Sequence, residues 1–193
     1  MFKSNPRPLH LNVQVVRYDQ VMSTDAAGAA VDAEVHWLSA EQLQEWQALM
    51  TLLMTLPSVM DGQLRRDAGL NLFEYHVLAA LSGAPDRTLV LSDLAALSQG
   101  SLSRLSHAVT RLERAGWVAR RTCPGSGTRR TEARLTDAGW AKLQVSAPGH
   151  VRAARRLVVD VLAPEQLGAL ADAARAITAA MFSEEPLSSG ASC

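Results

Sequence analysis

The 193-residue chain has only two cysteines, Cys123 and Cys193, too few and too far apart for a disulfide-stapled scaffold, which agrees with a reducing compartment. No apolar run approaches the roughly 20 residues of a bilayer-spanning helix. The opening residues carry Lys3 and Arg7 but no apolar signal core, so the expected location is the cytoplasm, with no membrane partner. Catalytic patterns are missing too. The histidines (His10, His36, His76, His107 and His150) show no metal-ligand spacing with cysteine or carboxylate, there is no glycine-rich phosphate loop, and no serine sits in a nucleophile elbow. The chain is therefore expected to be no enzyme, with no metal site and no cofactor. An overall charge excess is also lacking, since 19 basic residues balance 19 acidic ones.

What is present is unevenly distributed. Between Ser101 and Arg134 eight arginines face only Glu113 and Glu132, and a focused basic patch attracts phosphate whatever the global sum. The same stretch holds a helix pattern: Leu102, Leu105, Val109 and Leu112 recur at spacings of three, four and three, which leaves Ser103, Arg104, His107, Thr110, Arg111 and Arg114 facing outward. A helix with one side in a core and a basic side free is suited to DNA. WVARRTC and TEARLT then flank a Pro-Gly-Ser-Gly segment, the chemistry of two strands joined by a flexible tip.

The rest of the chain frames this unit. Residues 1–37 lack a helical stripe and read as a mobile extension, with room for one short strand near Leu11 to Val16. Ser39 and Gln42 have the form of a capping box, followed by an apolar stripe of Leu43, Trp46, Leu49, Met50, Leu53 and Met54. Pro57 is expected to bend or end that helix before it resumes toward Gly69. A helix from Asn71 ends at Gly83 and Pro85, Leu89 to Leu91 is a candidate third strand, and Ser92 is placed to cap a short helix. Gly116 suits a left-handed stop. Thr136 caps a long helix with a heptad-like seam (Trp140, Leu143, Ala147, Val151, Ala154, Val158, Val161), in which Pro148 predicts a kink. Pro164 opens the last helix, and 183–193 read as a disordered tail. A chain of this length can bury one core, or one core plus a dimer seam. Pairing the end helices of two chains would set two recognition helices about one turn of DNA apart, which favours a homodimer on a palindromic operator.

The segment LVLSDLAALSQGSLSRLSHAVTRLERAGWVARRTCPGSGTRRTEARLTDAGW, with GLNLFEYHVLAALS before it, resembles the MarR-type winged helix-turn-helix transcription regulators, especially those of actinobacteria. The resemblance covers about residues 37 to 182. It implies a mainly α fold with a small β-hairpin wing and helical dimerisation regions from both ends of the chain. These would be dimerisation helices at about 39–67 and 137–182, with the winged helix-turn-helix at about 70–136, all within a domain of 38–182. It further implies double-stranded DNA as partner, with helix 101–115 in the major groove and the wing in the minor groove.

Within that frame Arg104 and His107 are the candidates for reading base edges, with Ser103 close by. Ser101, Thr110, Arg111 and Arg114 are placed to clamp phosphates, and Arg129 or Arg130 to reach the minor groove. The wing departs from the family's Asp-x-Arg pattern: Gly127 stands two residues before Arg129 when counted from Leu135, and Ser126 and Thr128 fall there when counted from Pro124. The acidic partner is missing either way. The resemblance also implies a small phenolic or anionic effector that releases a repressor, with Trp46, Met50, Tyr75 and His76 as candidate ligand residues. Two alternatives stand beside this reading: a redox-sensing regulator using Cys123, which sits at the wing beside Arg120 and Arg121, and a winged-helix adaptor binding an acidic protein partner.

Overall fold

The computed structural model describes residues 36–98, 100–123 and 130–183. Residues 1–35, the wing tip with Gly127 and Arg129, and the tail beyond residue 183 lie outside the described residues, as do the side chains of Cys123 and Arg130. The chain divides into two units, Met1–Gln44 and Glu45–Cys193. In the first, the expected capping box is present: Ser39 Oγ accepts from Gln42 N at 3.1 Å and Gln42 Oε1 accepts from Ser39 N at 2.9 Å, starting helix α1 (Ala40–Ala68).

In the second unit α1 runs on to Gly69. Pro57 does not end it. The carbonyl that proline releases belongs to Leu53, and both residues are exposed, so water can take the place of the missing N–H. Gly69, at φ +64, turns the chain so that Leu70 N reaches the Leu64 carbonyl. Helix α2 (Leu72–Gly83) then starts with its own capping box between Asn71 and Glu74, and Asp61 of α1 accepts a further bond from Leu72 N at 2.8 Å. That bond is the main reason the Asp61 carboxyl lies below its usual range, with Arg65 and Arg104 adding to it against the opposing effect of desolvation.

A 3₁₀ turn (Pro85–Arg87) leads into β1 (Thr88–Val90), α3 (Leu91–Leu97), α4 (Leu102–Arg114), β2 (Val118–Cys123) and β3 (Arg130–Leu135). The three strands form an antiparallel sheet in the order β1-β3-β2, with Leu89 opposite Ala133 and Val118 opposite Leu135. The third strand expected near Leu89 is thus real. Ser92 is not the cap of α3: the helix starts directly at the end of β1, its N-cap is Val90, and Ser92 Oγ bonds Asp93 instead.

Leucines 64, 70, 78, 81, 94, 105, 112 and 135 with Val77 and Val109 form the centre of the core, between α2, α3, α4 and the inner face of the sheet. Leu102 is not part of it, being 60% exposed. Periodicity gave its angle correctly, but it occupies the first turn of α4, beyond the edge of the core. The turn between α3 and α4 depends on Gly100, where a Cβ would stand 2.5 Å from the Phe73 ring.

Helix α5 (Asp137–Ala154) is capped by Thr136 as expected and passes through Pro148 without interruption. Its seam does not continue as an α-helix to Val161, because a π-helical segment (Arg155–Val159) intervenes, closed by the Arg155–Asp160 ion pair at 2.6 Å. Helix α6 (Pro164–Ser183) follows. No helix among the described residues is long and apolar enough to cross a membrane.

Candidate nucleic-acid interface

Helix α4 is defined by what holds each of its sides. Ser101 caps it, accepting from Arg104 N at 3.2 Å, and Gly116 at φ +75 stops it. Leu105, Ala108, Val109 and Leu112 are buried against the core. At about 100° per residue, Arg104 and Arg111 fall on the flank toward α2. The Arg104 guanidinium stacks over Phe73 at 4.3 Å, and Arg111 pairs with Glu74.

The opposite flank faces the wing. Ser106, Thr110 and Glu113, at spacings of four and three, all meet Arg120 of β2. Its Nη2 donates to the Ser106 carbonyl at 3.0 Å and to Thr110 Oγ1 at 2.5 Å, its backbone N donates to Glu113 Oε1 at 3.0 Å, and its Nε lies 2.9 Å from Glu113 Oε2. That last contact is an ion pair without hydrogen-bond geometry at Nε. Thr110 Oγ1 in turn donates to the Ser106 carbonyl at 2.8 Å.

Between the two flanks lie Ser103, His107 and Arg114, all exposed, along one line of the helix. Of the sequence candidates, Ser101, Ser103, Arg104, His107 and Arg114 are solvent-facing, Arg111 is exposed but paired, and Thr110 is half-buried with its hydroxyl engaged. The basic excess is correspondingly smaller than the arginine count suggested: Arg111, Arg120 and Arg121 each face a glutamate. Arg114 and Arg134 are exposed and form no ion pair among the described residues.

Two features escaped the sequence reading. Glu74, three residues after Asn71, carries a capping-box signal like that of Ser39, but its second role on Arg111 joins residues 37 positions apart. Arg120 had a readable signal as well: strand alternation puts it on the same face as buried Val118, and an arginine aimed inward requires a partner.

The candidate ligand residues are placed less compactly. Tyr75 is buried, and its ring lies 6.3 Å from that of His76 and 4.3 Å from that of His150 on α5. Desolvation lowers both imidazole pKa values, with repulsion between the two adding to the effect at His150, and raises that of the Tyr75 phenol. Nδ1 of His150 is buried without a partner among the described residues. Trp46 is half exposed and Met50 partly so, both on the N-terminal half of α1. The larger cavity described, about 650 Å³, lies elsewhere, on the outer face of the sheet between Asp86, Arg121 and Arg134.

A short helix, a glycine turn, an amphipathic second helix and a three-stranded sheet define a winged helix-turn-helix protein. No protein-family model and no curated protein matches the chain, but solved structures do. Sco3205 of Streptomyces coelicolor, a MarR family transcriptional regulator solved in complex with DNA, is 41% identical over 76% of this chain and 91% of its own, with a TM-score of 0.72. AbsC, a MarR family transcriptional regulator from the same organism, is 32% identical over 78% of this chain and 100% of its own, with a TM-score of 0.71. The chain belongs to the MarR family of transcriptional regulators, a family of regulators and not of enzymes. PcaV of S. coelicolor, solved with its natural ligand, shares the fold at 22% identity, covering 80% of this chain and 99% of its own, with a TM-score of 0.55.

Proposed function

We propose that the protein is a homodimeric regulator that binds a palindromic operator on double-stranded DNA and acts as a repressor released by a small phenolic or anionic effector. The observation that carries the DNA reading is the face of α4: its flanks are held by α2 and the wing, and the line of Ser103, His107 and Arg114 between them is uncovered. Arg104 and His107 read base edges beside Ser103, and Ser101, Thr110, Arg111 and Arg114 lie along phosphates. The minor-groove contact is assigned to Arg129 or Arg130 of the wing. The DNA complex of Sco3205, at 41% identity, supports this reading.

Dimerisation is assigned to helices at about 39–67 and 137–182, and DNA reading to about 70–136. Trp46, Leu53 and Met54 of α1 and Ile177 and Met181 of α6 are exposed in the single chain, Met54 at 73%, apolar side chains that a second copy would cover. The effector site is assigned to Tyr75 and His76 together with Trp46 and Met50 of α1; the ligand-bound PcaV structure supports such a role by fold alone.

Mobility-shift titration against DNA upstream of the protein's own coding region tests the proposal. Binding that weakens steeply as salt rises is expected, because phosphate neutralisation releases counterions. No shift at low salt would favour an adaptor that binds an acidic protein.

A further inference from the structure

We propose that Arg120 is the positioning residue that fixes the wing to the recognition helix, with Ser106, Thr110 and Glu113 as the track it grips; the proposal rests on the DNA-reading role of α4. Arg120 sits on the inner face of β2 with its side chain 27% exposed, so it is turned away from any groove that the outer surface of the wing could meet. Its guanidinium spans the track instead. One nitrogen binds a helix carbonyl and a threonine hydroxyl whose own proton goes to that same carbonyl, closing a three-membered ring of hydrogen bonds. The Nε side and the backbone N–H both face the Glu113 carboxylate.

Contacts at three positions spread over nearly two turns of α4 restrain the strand against sliding along the helix as well as swinging away from it. A single ion pair would leave one of these motions free. Elsewhere among the described residues the base of the wing is held by apolar packing of Val118, Ala133 and Leu135 in the shared core, which is non-directional; the Arg121–Glu132 pair joins β2 to β3, and the tip sequence, CPGSGTRR, contains no carboxylate. The distance from major-groove helix to wing is therefore set at the base of the hairpin. Thr110, by the same geometry, acts on DNA through the wing as much as by direct contact.

The test uses the full chain, a duplex that the wild-type protein selects from a random-sequence pool, and a random duplex. Arg120→Met is expected to bind the selected duplex about tenfold more weakly, to lose hydroxyl-radical protection of the flanking minor grooves and to keep protection at the central major-groove positions. In the free protein, amide exchange of β2 and β3 should quicken while that of α2 stays unchanged. Arg120→Lys, which keeps the charge but cannot span the track, should fall between the two. If Arg120→Met does not fold, Glu113→Gln, which retains an acceptor for the Arg120 backbone, should show the same flank-selective loss in weaker form. A folded Arg120→Met with wild-type protection and exchange would overturn the tether, as would uniform loss across flanks and centre. Failure of the wild-type protein to select any duplex would instead overturn the DNA reading, and the exchange measurement would still decide the tether.

Discussion

Arg104 and Arg111 look equivalent in sequence, two arginines on the outward side of one helix, and the structure separates them. Arg111 pairs with a carboxylate that is only 8% exposed, while itself remaining 56% exposed. Glu74 Oε2 also accepts from Asn71 N at 2.9 Å, so Arg111→Ala strips one of two partners from a buried group. The cost to folding should be about 1 kcal/mol, the low end for a buried acceptor left short, because water reaches the site from the arginine side. Thermal unfolding should therefore show a lowered Tm together with weaker binding of all DNA sequences. Arg104 lacks such a partner and stacks on Phe73. Arg104→Ala should cost about 1–3 kcal/mol on a selected duplex and less on random DNA. Equal losses on both duplexes for Arg104→Ala would remove it from base reading.

At the scale of elements, the contact between α2 and α5 carries a pH dependence. His150 stacks against Tyr75 and sits near His76, and both histidines lie below their usual value of 6.5. The unfolded chain then binds protons that the folded chain refuses, so their contribution to stability is whole above about pH 6.5 and declines as pH falls below it. His150→Gln should flatten the loss of stability between about pH 7 and 5 in urea titrations; an unchanged pH profile would show that the histidine is not desolvated. Helix α5 also depends on a close approach in its first turn, where a Cβ on Gly139 would stand 2.0 Å from the Trp117 carbonyl oxygen. Gly139→Ala should displace that turn and destabilise the fold by about 1–3 kcal/mol or more, measurable by urea denaturation.

The elements themselves were largely legible. Ser39, Thr136, Gly69, Gly83 and Gly116 each carry a local cap or stop signal, and those signals act over three or four residues, within the reach of a sequence pattern. Pro57 and Pro148 do not end their helices, because proline's cost depends on whether water can satisfy the released carbonyl, which is a matter of exposure. Leu102 misled because a helical wheel has no axial coordinate. In the candidate site, the outward line of α4 could be read from periodicity alone. The Glu74–Arg111 and Arg120–Thr110 contacts could not, since their partners are brought together only by the packing of α2 and β2 against α4.

For the whole molecule, the exposed apolar residues of α1 and α6 and the uncovered face of α4 support one proposal, in which the ends of the chain pair two copies and the middle reads DNA. Arginines already matched to glutamates leave a modest positive charge without an ion pair in this stretch, on Arg104, Arg114 and Arg134 among the described residues. Affinity should therefore come from two reading units acting together rather than from one strongly basic surface. The most direct test is fluorescence anisotropy of the full chain on a selected duplex across a salt series, with stoichiometry taken from sedimentation. The account predicts two chains per duplex and a log affinity that falls linearly with log salt, by about 0.9 for each phosphate neutralised. Absence of binding at low salt, or tight and salt-independent binding by a single chain, would contradict it.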